Sequence, residues 1–147
     1  MRDDTKAAIA GTNRGLGQKF EPLVEEIESR LSPERRVLVA IATVGHGGPS
    51  GSDTGVLLLT DYGVHWKGEG LAGGGAPRLD LPWAKLHRAE VVAEERSSGV
   101  FKRKQTRDYD LVFESTDPDY RLSFRLYEDD QLAEIVRTAL RENQPLL

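Results

Sequence analysis

The stretch G-V-L-L-L-T-D-Y-G-V-H-W-K-G at residues 55–68 carries two strand-like runs joined by a tight corner. Val56 to Leu59 form a continuous apolar run, and beyond Thr60-Asp61-Tyr62-Gly63 the apolar Val64 and Trp66 alternate with His65 and Lys67. Successive strand residues point to opposite faces, so the pattern predicts a β-hairpin, with Gly63 free to take the positive φ that a tight corner often needs. Further alternating segments follow, and then one strong C-terminal helix. The chain therefore reads as a mainly β, α+β domain.

The clearest alternation lies downstream. Tyr109, Leu111 and Phe113 alternate with Asp108, Asp110 and Glu114, the T-D-P-D at 116–119 reads as a turn, and Tyr120, Leu122, Phe124 and Leu126 alternate with Arg121, Ser123, Arg125 and Tyr127. Leu86–Glu94 predicts another strand, while Arg78–Leu81 runs into Pro82-Trp83, where a residue without an amide donor fits only a sheet edge or a strand end. Trp66 and Trp83 sit in apolar strand contexts and read as core or rim groups. From Asp129, Leu132, Ile135, Val136, Ala139 and Leu140 recur at helical spacing behind acidic residues that suit a helix N-terminus, predicting a helix to about Asn143.

Toward the N-terminus, Arg36–Val44 is rich in β-branched and aliphatic residues and predicts a strand, followed by the connector H-G-G-P-S-G-S-D-T-G at 46–55. Pro22 opens a short amphipathic helix through Leu23, Val24, Ile27 and Leu31, which Ser32-Pro33 ends. Residues 1–19 mix alanine, glycine and charge, the pattern of a loosely ordered arm with a helical turn around Lys6–Ala10, which leaves 20–147 as the domain. A second glycine-rich connector spans 68–77.

Composition narrows the function classes. At 147 residues the length suits one domain, and a formal charge of −4 gives no global attraction to nucleic acid or an anionic membrane. Cysteine is absent, which excludes disulfides, thiolate metal sites and cysteine nucleophiles. The first residues lack the apolar core of a secretory signal, and no apolar run reaches the roughly 18 residues of a membrane span, so a cytoplasmic protein is expected.

The order helix, about seven antiparallel strands, helix, together with L-L-L-T-D-Y-G-V-H-W-K at 57–67, L-P-W-A-K-L at 81–86 and Y-R-L-S-F-R-L-Y ahead of D-D-Q-L-A-E-I-V-R-T-A-L, resembles bacterial proteins with a pleckstrin-homology-like domain. The likeness covers roughly residues 21–143. It implies a small antiparallel β-barrel capped by the C-terminal helix, without enzymatic activity or cofactor. It also implies binding of lipid headgroups, peptides or proteins, or self-association. In phosphoinositide-binding members, basic residues cluster on the first two strands and the loop between them. Here that loop, at 46–55, has no Lys or Arg, so a headgroup site is not expected there.

Two motifs bear on chemistry. A-G-T-N-R-G-L-G at 10–17 is similar to the phosphate loop of short-chain dehydrogenases, in which Gly11, Gly15 and Gly17 would let the backbone approach a pyrophosphate. No buried strand precedes it and no Tyr-x-x-x-Lys pair follows, since the residues four after Tyr62, Tyr109, Tyr120 and Tyr127 are Trp66, Phe113, Phe124 and Gln131. Nucleotide-cofactor binding is thus a minor alternative. The second motif is the basic cluster Arg96, Lys102, Arg103, Lys104 and Arg107, with Phe101 as an apolar neighbour, which reads as an anion- or partner-binding loop or as a solvated one. The acidic patch Glu128–Asp130 reads as helix N-terminal charge that could meet the basic loop of a second subunit. His46, His65 and His87 lack paired metal-ligand spacing, and no catalytic residue is assigned.

The expectation is a non-enzymatic interaction or scaffolding module that binds a protein partner or itself, with no metal, cofactor or small-molecule substrate. Attachment to lipid headgroups or nucleic acid through the 96–107 loop is the alternative.

Overall fold

The computed structural model describes residues 1–12, 14–47, 52–70, 78–98, 104–116 and 119–143. Helices α1 (Asp3–Gly11) and α2 (Glu21–Glu28) precede strands β1 (Val37–Gly47), β2 (Asp53–Thr60), β3 (Gly63–Gly68), β4 (Arg78–Pro82), β5 (Leu86–Ser98), β6 (Lys104–Thr116) and β7 (Asp119–Tyr127). Helix α3 (Asp130–Asn143) ends the described chain. The strands form one antiparallel seven-stranded sheet in the order β4-β3-β2-β1-β7-β6-β5. Strands β4 and β5 are its two ends, so among the described residues the hydrogen-bond ladder is not closed into the expected barrel. The proline-bearing segment is an edge strand, as a missing amide donor requires.

One face of every strand shares a core with α3. Leu57, Leu59, Leu111, Phe113, Phe124 and Leu126 are almost completely buried there, beside Leu132, Ala133 and Val136 of the helix. Trp66 packs against Phe124 at 5.0 Å between ring centres, and the Trp83 indole N–H donates to the Thr60 carbonyl at 3.0 Å, so both tryptophans are core groups. A second apolar cluster lies on the opposite face of β1 and β2, where Val24 and Ile27 of α2 and Phe20 meet Val37, Ala40, Val56 and Leu58. Double coverage explains why Val56–Leu59 reads as a continuous apolar run. Every residue of β3 is buried as well, including His65 and Lys67, whose ammonium lies 3.3 Å from Glu26 of α2.

Helix α1 extends the expected turn in both directions and is held by named contacts. Thr5 Oγ1 and the Arg2 amide both donate to Glu28 Oε2, at 2.6 and 2.9 Å, and Asp4 accepts the Val37 amide at 2.9 Å. Burial raises the proton affinity of Asp4, but the Val37 amide and the Arg2 guanidinium outweigh it and hold the carboxyl below its ordinary value. Helix α2 stops at Glu28, short of Leu31. The Arg30 and Leu31 amides turn back to Ile27 and Glu28 carbonyls, and Ser29 Oγ bonds to the Glu26 carbonyl, tightening the end.

Two glycines depart from expectation. Gly63 keeps an ordinary φ; its role is space, since a Cβ there would lie 2.0 Å from the Leu81 carbonyl oxygen. Gly45 lies just past the predicted end of the strand at Val44 and ahead of the connector expected from His46, yet β1 continues through Gly47 and changes partner, with Gly45 facing both Asp53 of β2 and Phe124 of β7. A Cβ at Gly45 would meet Phe124 at 2.8 Å and Trp66 at 3.1 Å, so only glycine lets the strand pass over the rings.

Candidate functional site

The passage from β7 into α3 holds, among the described residues, the one non-glycine residue with a positive φ. Between the pairs Tyr109–Tyr127 and Asp110–Arg125 the register shifts, leaving Leu126 as the extra residue of a β-bulge. Tyr127 then takes φ 61°, a left-handed conformation that an aromatic side chain rarely adopts, and turns the chain sharply. Asp129 follows as the cap of α3, its Oδ1 accepting the Leu132 amide at 2.9 Å.

Around this corner lies a cleft. A cavity of about 120 Å³ is lined by His46, Asp108, Tyr109, Asp110, Arg125 and Tyr127. It adjoins an open recess of about 530 Å³ whose walls are Arg14, Asp108, Tyr127, Glu128, Asp129 and Asp130. The Tyr109 hydroxyl donates to Asp130 Oδ1, and the Arg137 guanidinium covers the Tyr109 ring from 5.5 Å. Opposite, the guanidinium of Arg14 stands 4.8 Å above the centre of the Tyr127 ring, and its Nη1 lies 3.6 Å from Asp129 Oδ2. An aromatic face and a carboxylate thus frame a planar cation, the combination that desolvates and holds a guanidinium. Among the described residues, no group of three or more His, Asp or Glu is placed to hold a metal ion.

The glycine-rich segment of the expected phosphate loop has a different setting. It follows α1 instead of a strand, Gly15 adopts φ +66°, and Arg14 within it reaches the cleft. Of the basic cluster, Arg96 lies on β5, Lys104 on β6, and Arg107 is an exposed residue of β6 facing Glu95 across the ladder. Phe101, Lys102 and Arg103 lie outside the described residues. The acidic patch Glu128–Asp130 is present as helix-capping charge, and it also forms one wall of the cleft. Sequence reasoning singled out neither Arg14 nor Tyr127 for this wall, because a bulge and a left-handed aromatic leave no periodic signal.

A hydroxyl–imidazole–carboxylate line was also not apparent from the sequence. Thr60 Oγ1 is 3.0 Å from His65 Nε2, and His65 Nδ1 is 2.6 Å from Asp80 Oδ1, whose partner oxygen accepts from Arg78 Nε at 2.7 Å. Burial raises the proton affinity of Asp80, but hydrogen bonds from His65 and Arg78 outweigh it and bring the carboxyl down to about 2. The hydroxyl is fully buried and already accepts the Tyr62 and Gly63 amides, so the line ties the β2–β3 corner to β4 and presents no nucleophile to solvent.

No family model matches the chain, and no curated protein matches it. No helix among the described residues is long and apolar enough to cross a membrane.

Proposed function

We propose that the protein is a non-enzymatic interaction module with a pleckstrin-homology-like domain, and that it associates head to tail with copies of itself. The acidic and aromatic cleft at the β7–α3 corner receives the basic segment at 102–107 of a second copy. The seat formed by Tyr127 and Asp129 carries this reading, because it already frames a guanidinium. Opposite charge on two separate parts of one chain suits a heterologous contact, in which each copy offers one cleft and one basic segment.

The fold assignment draws on the element order and on β1, which pairs with β2 along most of its length and with β7 at its end, while α3 packs on the shared core. The experiment is light scattering of the full chain at low and high salt. A defined oligomer that weakens with salt supports the reading, because paired charges at an interface are screened. A monomer under both conditions overturns it. Salt-sensitive binding to anionic vesicles by that monomer would instead favour surface attachment through Arg96, Lys102, Arg103, Lys104 and Arg107.

A further inference from the structure

We infer that Arg14 is an internal competitor for the cleft, so that the N-terminal segment gates association by occupying the seat that a second copy's basic segment would use; this rests on the reading proposed above. The guanidinium is placed as an incoming arginine would be. It stacks on Tyr127 at 4.8 Å, pairs with Asp129 Oδ2 at 3.6 Å, and keeps 35% of its side chain in solvent, so it can leave without opening a core. Its connections favour release. Thr12, whose hydroxyl is tied to the Ile9 carbonyl at 2.7 Å, and Leu16, packed on the second apolar cluster, hold the backbone on either side, while a Cβ at Gly15 would meet nothing within 4 Å, so release needs only the partly exposed Arg14 side chain to rotate into open space.

Asp129 has one oxygen committed to capping α3 and the other facing Arg14, whose guanidinium covers the Tyr127 ring, so an arginine stacked on that ring face beside Oδ2 must displace Arg14. An internal ligand lowers apparent affinity by the fraction of molecules whose seat is open. A stacked, partly exposed ion pair gives a penalty on the order of tenfold.

The test measures binding of a fluorescent peptide with the sequence of residues 100–107, V-F-K-R-K-Q-T-R, to the full-length protein and to Arg14→Ala and Asp129→Asn variants. Asparagine at 129 retains an oxygen for the cap and removes the charge. Circular dichroism establishes that each variant is folded, and Arg14→Gln serves as a second variant if alanine disturbs the segment. The expected result is binding to Arg14→Ala on the order of tenfold tighter than to the unmodified chain, with oligomers forming at correspondingly lower concentration, and with the gain lost in the Arg14→Ala, Asp129→Asn double variant. Equal affinity for the unmodified chain and Arg14→Ala, weakened in both by Asp129→Asn, overturns the gate and leaves the docking cleft standing. No saturable binding to Arg14→Ala overturns the cleft and the gate together.

Discussion

Asp80→Asn isolates the charge that fastens the β2–β3 corner to β4. The Asp80 carboxylate accepts from His65 at 2.6 Å and from Arg78 at 2.7 Å, and its proton affinity falls from the ordinary 3.8 to about 2. At about 1.36 kcal/mol for each factor of ten in proton affinity, that fall corresponds to about 2.4 kcal/mol. With 35% of the side chain in solvent, screening brings the contribution to roughly 1 kcal/mol. The folded value lies below the unfolded one, so the stabilisation is complete above 3.8 and disappears as pH falls through about 2. Asparagine keeps the shape and one acceptor oxygen but cannot ionise. Urea unfolding followed by Trp66 and Trp83 fluorescence should therefore show the variant less stable by roughly 1 kcal/mol near neutral pH, with the two proteins converging toward about pH 2. An undiminished difference at low pH, or no difference at neutral pH, would refute the assignment of charge stabilisation to this network.

Other outcomes follow from the same geometry. Glu28→Ala removes the acceptor shared by Thr5 and the Arg2 amide, and should cost about 1–2 kcal/mol in urea unfolding and raise hydrogen exchange in α1 above that of α3. Gly45→Ala drives a methyl into Phe124 and Trp66 and should cost about 1–3 kcal/mol, read as a lowered unfolding midpoint. Tyr127→Asn suits the left-handed φ better than tyrosine does, so thermal stability should stay within about 1 kcal/mol of the original while binding of the 100–107 peptide weakens; unchanged binding would remove Tyr127 from the seat.

Much of the fold was legible because its strands obey simple periodicity. The alternation of β6 and β7 and the spacing of α3 report a face turned to one core, while the continuous apolar run Val56–Leu59 of the hairpin reports a strand covered on both faces. Strand β1 is longer than its aliphatic run because Gly45–Gly47 give no side-chain pattern, although the close passage over Phe124 is what requires glycine there. Strands β5 and β6 extend to Ser98 and Lys104 through residues too polar to show an apolar face. The acidic wall of the cleft was visible as helix-terminal charge. Its aromatic floor and its cation were not, because Tyr127 and Arg14 meet only through a bulge, a left-handed turn and the fold of the N-terminal segment over the β7–α3 corner.

Head-to-tail association is tested most directly by mixing two impaired chains and measuring their mass by sedimentation velocity. One carries Tyr127→Ala with Asp129→Asn and keeps its basic segment; the other carries Lys102→Ser, Arg103→Ser and Lys104→Ser and keeps its cleft. Each retains one half of the contact, so each alone should be monomeric while the mixture forms a 1:1 dimer that dissociates in high salt. Association of either chain alone, or a mixture that stays monomeric where the unmodified protein assembles, would contradict the account.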